Sequence, residues 1–148
     1  MSAHAARIAV TDQLDAATRD AKEMLADFLA LLGDRHTVDH ADPGPFAVEL
    51  LRNLDERTKR HRQRFCTHLR RSPDVAWLFG WAPERLHCQR CAFKVLRQAY
   101  GTAEDYTCDV CRRESDNGVS PVMGAAGPMV VLFGACDDCY ARETGAAA

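Results

Sequence analysis

CDVCRRESDNGVSPVMGAAGPMVVLFGACDDC, residues 108–139, contains the pattern that decides the fold. Two cysteine pairs, each with two intervening residues, enclose two apolar runs at 119–123 and 129–133. Gly124, Gly127 and Pro128 separate these runs, which is typical of a β-hairpin. The stretch therefore predicts four sulfur atoms brought together by a hairpin.

The same order of features occurs earlier in the chain. Cys66 and His68 come first, then two short strand-like runs at 77–81 and 84–87, then Cys88 and Cys91, and then a helical stretch at 92–100. Both halves run ligand pair, hairpin, ligand pair, helix, which indicates an internal repeat. All seven cysteines fall into pairs once His68 is included, and none lies in the first 65 residues.

Paired thiols and imidazoles at this spacing are typical of structural zinc sites, which take four such ligands in a tetrahedron. We therefore expect two zinc ions per chain. The predicted ligands are Cys66, His68, Cys88 and Cys91 for one ion, and Cys108, Cys111, Cys136 and Cys139 for the other. An iron–sulfur cluster is the alternative for four cysteines.

Two pairings of the ligand pairs are open at this stage. The pairs can share ions sequentially, first with second and third with fourth, or in a crossed arrangement. A crossed arrangement normally has a short link between the second and third pairs, whereas 16 residues separate Cys91 from Cys108. This length favours the sequential pairing.

The order knuckle, β-hairpin, C-x-x-C and helix resembles the treble-clef zinc finger, here as two units in tandem at 65–101 and 102–142. The resemblance implies a fold and no particular activity. The first unit also weakly resembles the zinc finger of ubiquitin-specific proteases. Its later ligands depart from that family's pattern, so the resemblance carries no ubiquitin-related function.

The first 64 residues contain no cysteine and indicate two helices. Thr11 is a predicted cap for the first helix, and Gly33 its predicted end. Its apolar stripe, at spacings of three and four, consists of Leu14, Ala17, Ala21, Met24, Leu25, Phe28, Leu31 and Leu32. A second helix is predicted from Pro45 through residue 64, after a loop at 33–44.

These elements predict an α+β protein. We expect a helical hairpin at 1–64, packed on a two-zinc module at 65–142, with a flexible tail at 143–148. Trp77, Phe79 and Trp81 alternate along a predicted strand and are expected to pack against the helices, although a stacking or peptide-binding surface is the alternative.

Basic charge is concentrated in residues 52–71, which contain eight Lys or Arg residues and only Asp55 and Glu56 as acids. These residues, predicted to contact a nucleic acid or a partner protein, are Arg52, Arg57, Lys59, Arg60, Arg62, Arg64, Arg70 and Arg71. Pairing with the acidic first helix, or simple solvation, is the alternative explanation of this charge.

Each predicted zinc site already has four protein ligands, and the sequence contains no recognised catalytic zinc motif. We therefore expect no catalytic residues, and a non-enzymatic bacterial adaptor or regulator. A zinc-dependent hydrolase or nuclease-like enzyme with one catalytic zinc is the alternative. The chain contains no apolar run long enough to span a membrane, so we expect a cytoplasmic protein. Its thiols are expected to be reduced. The apolar stripe of the first helix is a candidate homodimer interface.

Overall fold

The computed structural model describes residues 3–32, 44–69 and 74–145. The helices and strands are α1 (Ala3–Leu32), α2 (Pro45–Lys59), β1 (Arg64–Phe65), β2 (Ala76–Phe79), β3 (Arg85–Cys88), α3 (Gln89–Ala99), β4 (Ser120–Ala126), β5 (Met129–Ala135) and α4 (Asp137–Thr144), with a short 3-10 helix at Ala103–Asp105. The predicted α+β class is confirmed. The predictions made for Gly33, most of the 33–44 loop, Arg70, Arg71 and residues 146–148 lie outside the described residues.

A single mixed sheet joins the two predicted zinc units, with strand order β1-β3-β2-β5-β4. Each unit contributes an antiparallel hairpin, β2 with β3 and β4 with β5. The hairpins meet where β2 pairs in parallel with β5, from Ala76 opposite Met129 to Phe79 opposite Leu132. Both central strands are almost continuously apolar and buried, as strands covered on both faces must be.

Two helices cover each face of this sheet. On one face, Leu50 and Leu54 of α2 and Cys139 of α4 pack against alternate strand residues such as Leu78 and Phe133. On the other face, Ala21 and Leu25 of α1 and Ala92 of α3 pack against Trp77, Phe79 and Leu132. The alternation along each strand therefore divides the apolar side chains between two separate cores.

The sheet lies between α1 and α2, so these helices do not form the predicted helical hairpin. Part of each predicted apolar stripe is buried, but against the sheet instead of the other helix. Leu14, in the predicted stripe of α1, is exposed. A long apolar sheet with two bare faces provides more surface to bury than a second narrow helix does.

The first helix begins earlier than predicted. Thr11 is not its cap, because α1 starts at Ala3 and the Thr11 hydroxyl donates to the carbonyl of Arg7 inside the helix, at 3.1 Å. The alanine-rich segment before Thr11 contains no glycine or proline, so the helix continues through it.

The second helix is shorter than predicted. It begins at Pro45, as expected, but ends at Lys59, and His61 has a left-handed backbone with φ of 54°. Arg62 therefore lies in a connection, and Arg64 lies on the edge strand β1.

The carboxylate of Glu143 accepts the backbone N–H of Phe46 at the start of α2, at 3.0 Å to Oε2, and Gly44 leaves room for it. This contact links α4 to α2 on one face of the sheet. Glu143 is buried and belongs to α4, as does Thr144, although both fall in the predicted tail.

Replacing Leu25 with alanine tests the docking of α1 on the sheet. Leu25 is 2% exposed, so Leu25→Ala should lower the free energy of unfolding by about 2–5 kcal/mol, measured by denaturant titration. Leu14 lies on the same helix but is 42% exposed, and Leu14→Ala should cost less than about 0.5 kcal/mol. Similar losses in the two variants would mean that α1 does not dock as described.

Candidate metal centres

The first cluster lies at the sheet edge formed by β1 and β3. Cys66 follows β1, His68 lies in the next turn, Cys88 ends β3, and Cys91 lies in the first turn of α3. Their four ligand atoms all lie within 4.8 Å of one another. The Sγ of Cys91 is 3.4 Å from Nδ1 of His68, and the backbone N–H of Cys88 donates to the Sγ of Cys66 at 3.2 Å.

The second cluster repeats this construction on the other hairpin. Cys108 and Cys111 flank a tight turn, Cys136 follows β5, and Cys139 lies in the first turn of α4. The four sulfurs again lie within 4.8 Å of one another. Cys108 and Cys139 are buried, whereas the other two are partly exposed. In both clusters, therefore, a turn supplies one pair and a strand-to-helix junction supplies the other.

The structure brings the eight predicted ligands together in two sets of four, in the sequential arrangement. The first pair meets the second, and the third meets the fourth. The crossed arrangement would require ligands from opposite ends of the sheet to meet, which the strand order does not allow.

The spacing within each cluster fits a single metal ion. A tetrahedral site with metal–sulfur bonds of about 2.3 Å places its sulfurs about 3.8 Å apart. The sulfurs of Cys111 and Cys136 are 3.9 Å apart, and all seven cysteines are free thiols. Each cluster can therefore hold a metal ion.

The thiols of the second cluster have strongly divergent acidities. The backbone N–H of Arg113 and then its guanidinium lower the pKa of Cys111 to about 6, whereas burial raises the pKa of Cys139 to about 12. Burial likewise raises the pKa of Cys91, in the first cluster, to about 11. Crowded thiolates repel one another, so full ionisation of either set requires a cation at its centre.

Two arginines that the sequence analysis did not identify lie beside the second cluster. The guanidinium of Arg142, one turn after Cys139, donates to its Sγ at 3.1 Å. A hydrogen bond to Cys111, and then the charge on that thiolate, raise the pKa of Arg113 in return. Four thiolates around a divalent ion carry two net negative charges, and these two guanidiniums offset them.

Asp109 braces the turn of the second cluster against the sheet. Its Oδ2 accepts the backbone N–H of Gly134 at 2.7 Å, and its own N–H donates to the Gly134 carbonyl at 2.8 Å. Asp109 is 2% exposed, and burial raises its pKa to about 6 despite the Gly134 N–H and Arg112. The brace fixes Cys108 and Cys111 relative to the end of β5, and nothing in the local sequence distinguishes this aspartate from an exposed turn residue.

The aromatic strand residues belong to the core, as predicted. Trp77 and Phe79 are at most 1% exposed and pack on the α1 face, where Trp81 stacks on Phe79 with ring centroids 4.7 Å apart. His87 is outside the first cluster and lies against Phe79, at 5.7 Å between centroids.

The predicted basic residues do not form one helical face. Arg52, Arg57 and Lys59 lie on α2, which carries as many acids as bases. Arg57 donates to Gln63 and to the carbonyl of Pro83, both at 2.9 Å, and Lys59 pairs with Asp55. Arg60 caps α2, while Arg62 and Arg64 are exposed beyond it. The concentration of charge in the sequence is therefore distributed over a helix, a turn and a strand.

No protein family, curated protein or solved structure matches this chain. Among the described residues, no helix combines the length and the hydropathy needed to cross a membrane.

His68 and His87 provide a matched test of the first cluster. His68→Ser should remove one metal ion per chain, because it deletes a ligand from a set that has no spare donor. His87→Ser should keep full metal content, although it loses packing against Phe79. Metal-to-protein ratios of the purified variants measure both, and equal metal content in the two would remove His68 from the site.

Proposed function

We propose that this chain is a non-enzymatic binding module. Two zinc ions hold its mixed sheet and helices in place, and basic side chains at its surface contact a macromolecular partner, which is a nucleic acid or a protein. The observation that carries the proposal is the convergence of four soft donors in each of two clusters, at opposite ends of one sheet.

The donor chemistry supports zinc. Seven thiols and one imidazole are the ligands that structural zinc sites use, and C-x-x-C turns at strand-to-helix junctions supply them. A span of 4.8 Å encloses one ion, whereas an iron–sulfur cluster has to fit several iron and sulfide atoms between its cysteines. Zinc supplies a rigid tetrahedral crosslink without redox chemistry.

The number of donors supports a structural role over a catalytic one. A catalytic zinc usually has three protein ligands and an open position for water or substrate. Here each cluster offers four protein donors, and the second is tied in by Arg142 and Asp109. Those contacts stabilise a closed set of ligands.

X-ray absorption at the zinc edge tests this proposal. The zinc-loaded protein should show seven sulfurs and one imidazole nitrogen shared by two ions, with no oxygen ligand, because the clusters contain seven cysteines and one histidine. His68→Cys should shift the spectrum to sulfur alone if the fourth donor of the first cluster is His68. A water-derived oxygen together with fewer sulfurs would contradict the structural role and favour a zinc-dependent hydrolase.

A further inference from the structure

The outer face of α3 carries a row of cations. Arg90, Lys94 and Arg97 are exposed at spacings of four and three, so they line up along one side of the helix. Ala92 on the opposite side is buried in the core that α1 shares. The helix contains no acidic residue, so nothing within it neutralises the row.

Two exposed aromatic residues flank this row. Phe93 is 41% exposed and Tyr100, which caps α3, is 83% exposed. The Phe93 ring lies 6.2 Å from that of Trp77, so one side is held by the core while another faces solvent. On a helix of 3.6 residues per turn, both positions fall on the same flank of the cationic row.

Further cations lie on the same side of the sheet. Arg64 of β1 and Arg85 of β3 are both exposed and are direct partners in the parallel register. Leu86 points toward the α2 face, so its neighbour Arg85 points toward the face that α3 covers. Arg64, as the register partner of Arg85, points the same way. Cations from β1, β3 and α3 therefore share one side of the molecule.

Acidic groups bound this surface on the flank where Phe93 lies. Asp20, Glu23 and Asp27 of α1, with Asp74, line a depression of about 480 Å³ that Phe93 also borders. A polyanion is repelled there and attracted along the row on α3. The charges thus favour one track across the molecule.

We infer that this surface binds single-stranded nucleic acid, with phosphates beside Arg90, Lys94 and Arg97 and bases stacked on Phe93 and Tyr100. The inference rests on the proposed function and names its partner. Single strands combine accessible phosphates with unpaired bases, and proteins bind them through cationic grooves with exposed aromatic rings. In a duplex the base faces are stacked on one another, so they are not available to stack on these rings.

Fluorescence anisotropy of labelled oligothymidylate, and of the same strand paired with oligoadenylate, tests the inference on zinc-loaded protein. The single strand should bind more tightly than the duplex. Replacing Arg90, Lys94 and Arg97 together by glutamine should make the slope of log affinity against log salt less negative by about 2, because three phosphate contacts are lost. Tyr100→Ala should weaken binding about tenfold with little change in that slope.

A second triple variant, with Arg52, Lys59 and Arg60 replaced by glutamine, is the matched control. It removes the same charge from α2 and its cap, which the sequence pattern predicted as the contact and which lie on the opposite face of the sheet. If the inferred surface is the binding site, this variant should bind as the unmodified protein does. Equal losses in the two triple variants, or equal binding of single strand and duplex, would overturn the inference. A folded two-zinc protein that does not bind the single strand would also overturn the inference. The proposed function would then stand with a protein as the partner. Loss of zinc without loss of fold would instead overturn the proposed function.

Discussion

The convergence of four ligands on one point, at each end of the sheet, is the constraint on which the rest of the structure depends. A turn cannot present Cys108 and Cys111 to Cys136 and Cys139 unless the hairpin between them has one fixed register, from Ser120 opposite Ala135 to Ala126 opposite Met129. The helix that follows must then start at the second pair. Because short units of this kind bury little apolar surface alone, metal binding contributes much of their folding free energy.

The two repeats are joined in one structure and are not separate domains. Their hairpins join through the parallel pairing of β2 with β5, and the resulting sheet is wide enough to be covered by helices on both faces. Side-chain contacts such as Asp109 with Gly134 and Glu143 with Phe46 then connect turn to strand and helix to helix. The clusters lie at opposite ends of one shared sheet, so the loss of one metal ion is expected to destabilise the other site as well.

Local features could be predicted from the sequence, because spacing is a local property. The ligand pairs, the hairpin around Gly127 and the buried stripe of α1 at Ala17, Ala21 and Leu25 are as predicted. Long-range pairing has no such signal: alternation along β2 indicates two faces, but not which helix covers each. The second helix is predicted to run through residue 64 because His61 and Phe65 continue the helical spacing of Leu50 and Leu54. The left-handed turn at His61 has no reliable signature in the sequence. Asp109 accepts from Gly134, 25 residues away, so only the tertiary fold brings the two together. Arg142 contacts Cys139 across one turn of α4, a local spacing that the sequence does contain.

We propose that the metal ions position surfaces and take no part in chemistry themselves. Native mass spectrometry of the reduced protein during stepwise chelation, with circular dichroism on the same samples, tests this most directly. We expect two zinc ions per chain and loss of ordered structure as they are withdrawn. A metal-free chain that keeps its full secondary structure and melting temperature, or a chain that binds a single ion, would contradict this proposal.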